Sequence, residues 1–103
     1  MQRLGEKLRL LREQNSMLLR EVAAQLQIDP SMLSKIEREG KKPTRQHIKD
    51  LSKIFKVQEK DLMVPFLSEK VLYEIKDEEF GLEALKAAEA VIRLTNKSRT
   101  KNK

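Results

Sequence analysis

Residues 20–44 read REVAAQLQIDPSMLSKIEREGKKPT, and the fold follows from how this stretch is punctuated. Val22, Ala23 and Leu26 recur at helical spacing, which predicts a helix over about 19–26. Ile28, Asp29 and Pro30 then break the pattern. Asp is a good N-cap, and Pro is tolerated at the first helical position, where its missing N–H costs nothing. A second helix is therefore predicted over about 30–38, with Leu33 and Ile36 facing inward. Gly40 lies just past its end, where a left-handed residue is easily placed. The bases Lys41, Lys42 and Arg45 follow at once. The stretch reads as a helix, a tight turn, a second helix and a basic run.

Upstream, Leu4, Leu8 and Leu11 stand at i, i+4 and i+7, which predicts a helix over about 4–15. Downstream, Thr44 is placed to cap a helix reaching about residue 55 that buries Ile48, Leu51, Ile54 and Phe55. A short helix over about 59–63 is expected to stop before Pro65. Two more helices are expected over about 68–76 and 79–94. The segment LEALKAAEAVIRL has high helix propensity and carries Leu85, Ala88 and Ile92 on one stripe. Val71-Leu72-Tyr73 also fits a strand, but no strand partner is evident. The polar, basic residues 96–103 are expected to fray as a disordered tail. The fold class is all-α, divided as residues 1–64, 65–95 and 96–103.

Composition narrows the chemistry. The chain has 103 residues, enough for one domain-sized core. Cysteine is absent, which excludes disulfides and thiolate chemistry and fits a reducing cytosol. His47 is the single histidine, so a multi-histidine metal site is ruled out, and His47 reads as structural or exposed. The acids Asp77, Glu78 and Glu79 read as favouring a helix dipole rather than as a catalytic or metal cluster. No apolar run approaches the ~20 residues a membrane span needs. The first residues lack an apolar signal core, so secretion is not expected. No nucleophile–base pair or phosphate-binding loop stands out, and Gly5, Gly40 and Gly81 are isolated. The chain is not expected to be an enzyme or to hold a cofactor or metal.

Charge is unevenly distributed within a net +6. Residues 1–64 carry 14 Lys+Arg against 9 Asp+Glu, residues 65–95 carry 4 against 7, and residues 96–103 carry four bases and no acid. A basic first part, an acidic middle and a basic tail suggest a polyanion as partner of the first part, the alternative being a solvated surface that happens to be basic.

Taken in order, these residues resemble the five-helix DNA-binding domain of the phage repressor and Cro proteins, the Xre-type helix-turn-helix family. The matching elements are Leu11-Arg12, Val22-Ala23, Leu26 to Ile28, Ser34 to Arg38, Gly40 to Thr44, and Ile48…Leu51…Ile54. The likeness covers about residues 4–63. No single element is specific, but the ordered set is. Ala23 is small where two helices cross closely, and Ile28 plugs the turn. Arg12 and Glu37 occupy positions that the family pairs as a partly buried ion pair. Two departures stand out. Leu18-Leu19 replaces the Thr-Gln common at the start of the second helix, which removes a cap and a polar contact. Glu39 interrupts the usual Glu-Arg-Gly and shifts the glycine to position 40.

The resemblance implies that the helix over 30–38 enters the major groove with its N-terminal residues against base edges. The implied base contacts are Pro30 at the entry, Ser31, Met32 and Lys35. Ser31 can donate or accept. Met32 can touch a thymine methyl or belong to the core. Lys35 can reach a guanine edge or a phosphate. The implied backbone contacts are Leu19, Ser34, Arg38, Lys41, Lys42, Thr44 and Arg45, with Leu19 alternatively touching thymine methyls or covering core. One such unit makes few contacts, and the family commonly dimerises on pseudo-palindromic DNA. Val71, Leu72, Ile75, Leu82, Leu85, Ala88, Val91 and Ile92 need a burial partner, and a two-fold dimer interface is expected there, the alternative being that these helices fold back on their own domain.

The expected function is a sequence-specific bacterial or phage transcriptional regulator, a dimeric repressor acting on double-stranded DNA. It would work in the cytoplasm, associated with the nucleoid. The alternative is an antitoxin whose C-terminal helices bind a protein toxin, with DNA binding used for autoregulation.

Overall fold

The computed structural model describes residues 2–101, with side chains described through Asn96, and its regular structure is helical throughout. The order is α1 Leu4–Gln14, α2 Leu19–Leu26, α3 Pro30–Glu37, α4 Arg45–Ile54, α5 Glu59–Ile75 and α6 Gly81–Lys101. No strand occurs among the described residues, so Val71-Leu72-Tyr73 belongs to α5. Packing divides the chain into two units, Met1–Glu69 and Lys70–Lys103.

The first four helices stop in the same way. Ser16, Gln27, Glu39 and Lys56 adopt positive φ, between 54° and 65°. Around each, two main-chain bonds close the helix end: Ser16 N–H to Glu13 O and Met17 N–H to Arg12 O after α1, with the same pattern at Gln27/Ile28, Glu39/Gly40 and Lys56/Val57. This is a Schellman terminator, which satisfies carbonyls that the helix itself leaves open. The residue after the left-handed position is apolar in three cases, and Met17, Ile28 and Val57 all pack against the core. The left-handed residue after α3 is Glu39, not Gly40, because the inserted glutamate occupies the first position past the cap. Gly40 takes the next position, with negative φ, and its N–H reaches Lys35 O at 2.7 Å.

Helix starts differ from one another. Asp29 accepts the Ser31 N–H at 2.8 Å to open α3. Thr44 Oγ1 accepts the His47 N–H at 3.1 Å, and His47 Nδ1 accepts the Thr44 N–H at 3.2 Å, so His47 completes a reciprocal capping box at the start of α4. At α2 the leucine at position 18 offers no side-chain acceptor, and only the returning half of a box survives: Leu18 N–H donates to Glu21 Oε1 at 2.7 Å. At α1, Arg3 gives no side-chain cap. Carboxylates distant in sequence replace it. Gly5 N–H donates to Glu39 Oε2 at 2.5 Å, Leu4 N–H donates to Glu69 Oε2 at 2.6 Å, and Arg3 reaches both acids. Two negative groups on the positive end of α1 suit its dipole. The approach requires glycine: a Cβ at position 5 would sit 2.5 Å from Ile36 O and 2.6 Å from Glu37 O.

The core of the first unit contains Leu4, Leu8, Val22, Ala23, Leu26, Leu33, Ile36, Ile48, Leu51, Phe55, Leu62, Met63 and Phe66, none more than 8 % exposed. Phe66 lies beyond the boundary expected at residue 64. The helix expected to stop before Pro65 instead runs through it to Ile75. Proline inside a helix costs about 3 kcal/mol, whereas burying one large apolar side chain gains ~1.5–3 kcal/mol. Leu62, Met63 and Phe66 flank Pro65 and are all buried, so burial wins. The carbonyl that Pro65 cannot engage, Asp61 O, accepts from Lys7 Nζ at 2.9 Å.

In the second unit the pattern reverses. Val71, Leu72, Tyr73, Phe80, Leu82, Leu85, Val91, Ile92 and Leu94 are 41–68 % exposed. α6 also runs to Lys101, past the expected end near residue 94, so the expected frayed tail is helical up to that residue. Lysine and arginine propagate helices well and suit a helix C-terminus. Residues 102 and 103 of that tail lie outside the described residues.

Candidate nucleic-acid interface

The turn between α2 and α3 is rigid for reasons that can be named. Ala23 is fully buried at the helix crossing, and its carbonyl accepts the Ile28 N–H at 3.0 Å. Ile28 is half-buried against the core. Arg12 then ties three elements together. Its Nε and Nη2 donate to Glu37 Oε2 and Oε1 at 2.7 and 3.0 Å, and its Nη1 donates to Met17 O at 3.1 Å. Glu37 is buried on α3, Arg12 ends α1, and Met17 lies in the α1–α2 turn. The bond to Glu37 holds the guanidinium above its ordinary pKa, outweighing the opposing effect of burial. A planar fork on a carboxylate fixes distance and angle together.

Held in this way, α3 turns Leu33, Ile36 and Glu37 inward. Ser31, Lys35 and Arg38 fall at i, i+4 and i+7 and form one exposed stripe, with Pro30 exposed at its start and Ser34 half-buried beside it. Ser31 is more restricted than its residue type suggests. Its hydroxyl donates to Asp29 Oδ1 at 2.7 Å, so the oxygen faces outward with lone pairs to accept. The two bonds from Ser31 hold the exposed Asp29 carboxyl below the usual carboxylate range. Met32 is half-buried and packs against the core, which leaves only part of its thioether side chain outward.

The flanking cations are exposed. Arg38 folds back so that Nε donates to Ser34 O at 3.3 Å. Arg45 lies at the first turn of α4 and contacts Met63 Sδ at 3.6 Å. Lys41 and Lys42 are exposed in the α3–α4 connection, and Thr44 is occupied with its cap. Leu19 is half-buried against the core, so its side chain makes no polar contact. What it offers a phosphate is a main-chain N–H, which at the first helical residue has no intrahelical acceptor.

Of the apolar residues expected at a dimer interface, Ile75 is half-buried, and Val71, Leu72, Leu82, Leu85, Ala88, Val91 and Ile92 are exposed. Sequence reasoning missed the Asp29–Ser31 hydroxyl bond and the capping of α1 by Glu39 and Glu69. The first had a signal, an Asp-Pro-Ser start. The second joins residues 34 and 65 positions apart and had none.

Among the described residues, no group of three or more His, Asp and Glu is placed to hold a metal ion, and no helix is long and apolar enough to cross a membrane. A family model described as a helix-turn-helix domain matches residues 5–64. Comparison with curated proteins and with solved structures gives no significant match.

Proposed function

Because the chain belongs to the helix-turn-helix domain family, of the Xre/Cro-like type, we propose that it is a sequence-specific repressor that binds a pseudo-palindromic operator as a homodimer. The observation that carries this reading is the outward stripe Ser31–Lys35–Arg38 on a helix locked from behind by Arg12 and Glu37. Ser31 and Lys35 read base edges, with Pro30 and the outward part of Met32 at the groove entry. A serine oxygen that only accepts selects a base-edge amino group, on cytosine or adenine. Lys35 selects the guanine edge. Arg38, Lys41, Lys42, Arg45 and the main-chain N–H groups of Leu19 and of the α4 start hold phosphates, with Ser34 and Thr44 beside them. Two copies give two half-sites about one helical turn, ~34 Å, apart. Occupancy of a promoter then represses it.

The test is selection of bound fragments from sheared genomic DNA at physiological salt, followed by sequencing. A two-fold symmetric motif is the expected result. Retention that depends on salt but enriches no motif would overturn sequence-specific regulation. Lys41→Ala and Lys42→Ala should each weaken binding to all sequences and reduce the salt slope by about 1. Ser31→Ala should instead relax one position of the motif, at about 1–3 kcal/mol of discrimination.

A further inference from the structure

The second unit holds a helix whose charge, counted from the turn that leads into it, is sorted from acidic to basic. From Asp77 to Glu89 the sequence carries Asp77, Glu78, Glu79, Glu83 and Glu89 against the single base Lys86. From Ala90 to the end of α6 it carries Arg93, Lys97, Arg99 and Lys101 and no acid. α6 spans about 30 Å at 1.5 Å per residue, three times a Debye length at ~0.1 M salt. The two ends therefore act as separate poles. Along the same helix, Gly81, Ala84, Leu85, Ala88, Val91, Ile92 and Thr95 fall on one face at the 3.6-residue period. Of these, Leu85, Val91 and Ile92 are 41, 62 and 58 % exposed. Leu85, Val91 and Ile92 lie on both sides of Ala88, near the midpoint of the stripe.

We infer that the occupant of this face is α6 of a second copy, running antiparallel, with the two-fold axis near Ala88. This rests on the homodimer reading above and fixes its orientation. A parallel pair would set acid against acid at one end and base against base at the other. An antiparallel pair sets the acidic start of each helix beside the basic end of its partner, twice. The helix dipoles add in the same direction, since each positive N-terminus meets a negative C-terminus. Reversal about Ala88 brings Leu85 beside the partner's Val91 and Ile92 and returns the same contact on the other side, as two-fold symmetry requires. Alanine at positions 84 and 88 lets the two backbones approach closely.

The natural chain has no cysteine, so engineered thiols report orientation without background. Leu85→Cys, Ala88→Cys and Ile92→Cys are made singly in the full chain and oxidised mildly, and mass is followed in parallel by sedimentation. The expected result is a dimer in which A88C cross-links to itself. L85C and I92C cross-link poorly alone but well when mixed. Efficient self-cross-linking of L85C and of I92C, with no gain on mixing, means a parallel pair and overturns the orientation while leaving the dimer. A dimer with no cross-link at any site means another surface joins the copies, which also overturns the proposal. A monomer with no cross-link removes the dimer itself. As an independent readout, Glu78→Lys with Glu79→Lys should cause loss of dimer at low salt. Adding Arg99→Glu with Lys101→Glu to the same chain should restore it. Failure of that rescue counts against antiparallel pairing.

Discussion

The two units treat similar side chains in opposite ways. In the first, thirteen apolar side chains from five helices, among them Leu8, Ile48, Leu51 and Phe55, vanish into a core, and Leu18, Val64 and Leu67 are the large ones left exposed among the described residues. In the second, residues of the same kinds remain 41–68 % exposed. The difference lies in closure. In the first unit, helix ends are capped by main-chain terminators and distant carboxylates, and ion pairs hold neighbouring elements in register. In the second, the ion pair Arg93–Glu89 joins residues one turn apart on the same helix, 76 % and 60 % exposed. Such a pair supports its helix by ~0.3–0.5 kcal/mol and brings no elements together. The first unit buries most of its large apolar side chains in its own core, and the second leaves most of its own exposed.

That contrast can be broken most forcefully at Arg12. Arg12→Ala leaves Glu37 buried and uncompensated, and denaturant unfolding should register a loss of roughly 3–5 kcal/mol. A loss below about 1 kcal/mol would reduce the pair to a surface interaction. Replacing Arg12 and Glu37 together by Met and Leu should recover most of the loss. Next, Leu62→Ala should cost ~2–5 kcal/mol as a core truncation. Leu85→Ala, measured under dilute conditions, should stay within about 0.5 kcal/mol. Equal losses at these two positions would erase the distinction between the units. A smaller effect is expected at Lys7. Lys7→Met should cost no more than about 0.5 kcal/mol, because the exposed Asp61 carbonyl can turn to water. In a Pro65→Ala background, where residue 65 supplies the missing N–H, the same change should cost clearly less. Additive effects would show that Lys7 and Pro65 act separately.

The mildest test uses pH. The folded-state pKa of Asp29 is depressed, chiefly by the Ser31 hydroxyl and then by its N–H. The stabilisation from this cap is thus present above the ordinary carboxylate pKa of about 3.9 and is lost as pH falls through the lower folded value. In Asp29→Ala that segment of the stability curve below about pH 4 should flatten. An unchanged profile would mean that the cap contributes nothing measurable.

Much of the first unit was legible because its signals are local. The start of α3 is written in Asp29-Pro30, and the α2 bounds, 19–26, follow from Val22, Ala23 and Leu26. Two local rules misled. Proline was expected to end a helix, yet Leu62, Met63 and Phe66 form a core contact worth more than the proline penalty, and that contact depends on other elements. Glycine was expected at the left-handed position, yet Glu39 takes it, because the inserted glutamate occupies the first position past the α3 cap. Of the site, the outward stripe on α3 follows from periodicity. The occupation of Leu19 and part of Met32 by the core does not, since periodicity places a side chain on a face without saying how deep that face is covered.

The terminators at both ends of the α2–turn–α3 unit have a consequence for how such a protein can change. The frame of α3 is fixed by main-chain bonds, by Asp29 and by the inward residues Leu33, Ile36 and Glu37, none of which lies on the outward stripe. Positions 35 and 38 are therefore free variables on a fixed frame, and position 31 is nearly so, its hydroxyl also bonding the Asp29 cap. On the base-reading role proposed above, drift at those positions alters which sequences are preferred while leaving the scaffold folded. On that proposed reading, specificity and foldability are stored largely in separate residues, and a duplicated copy can acquire a new operator without first passing through an unstable intermediate.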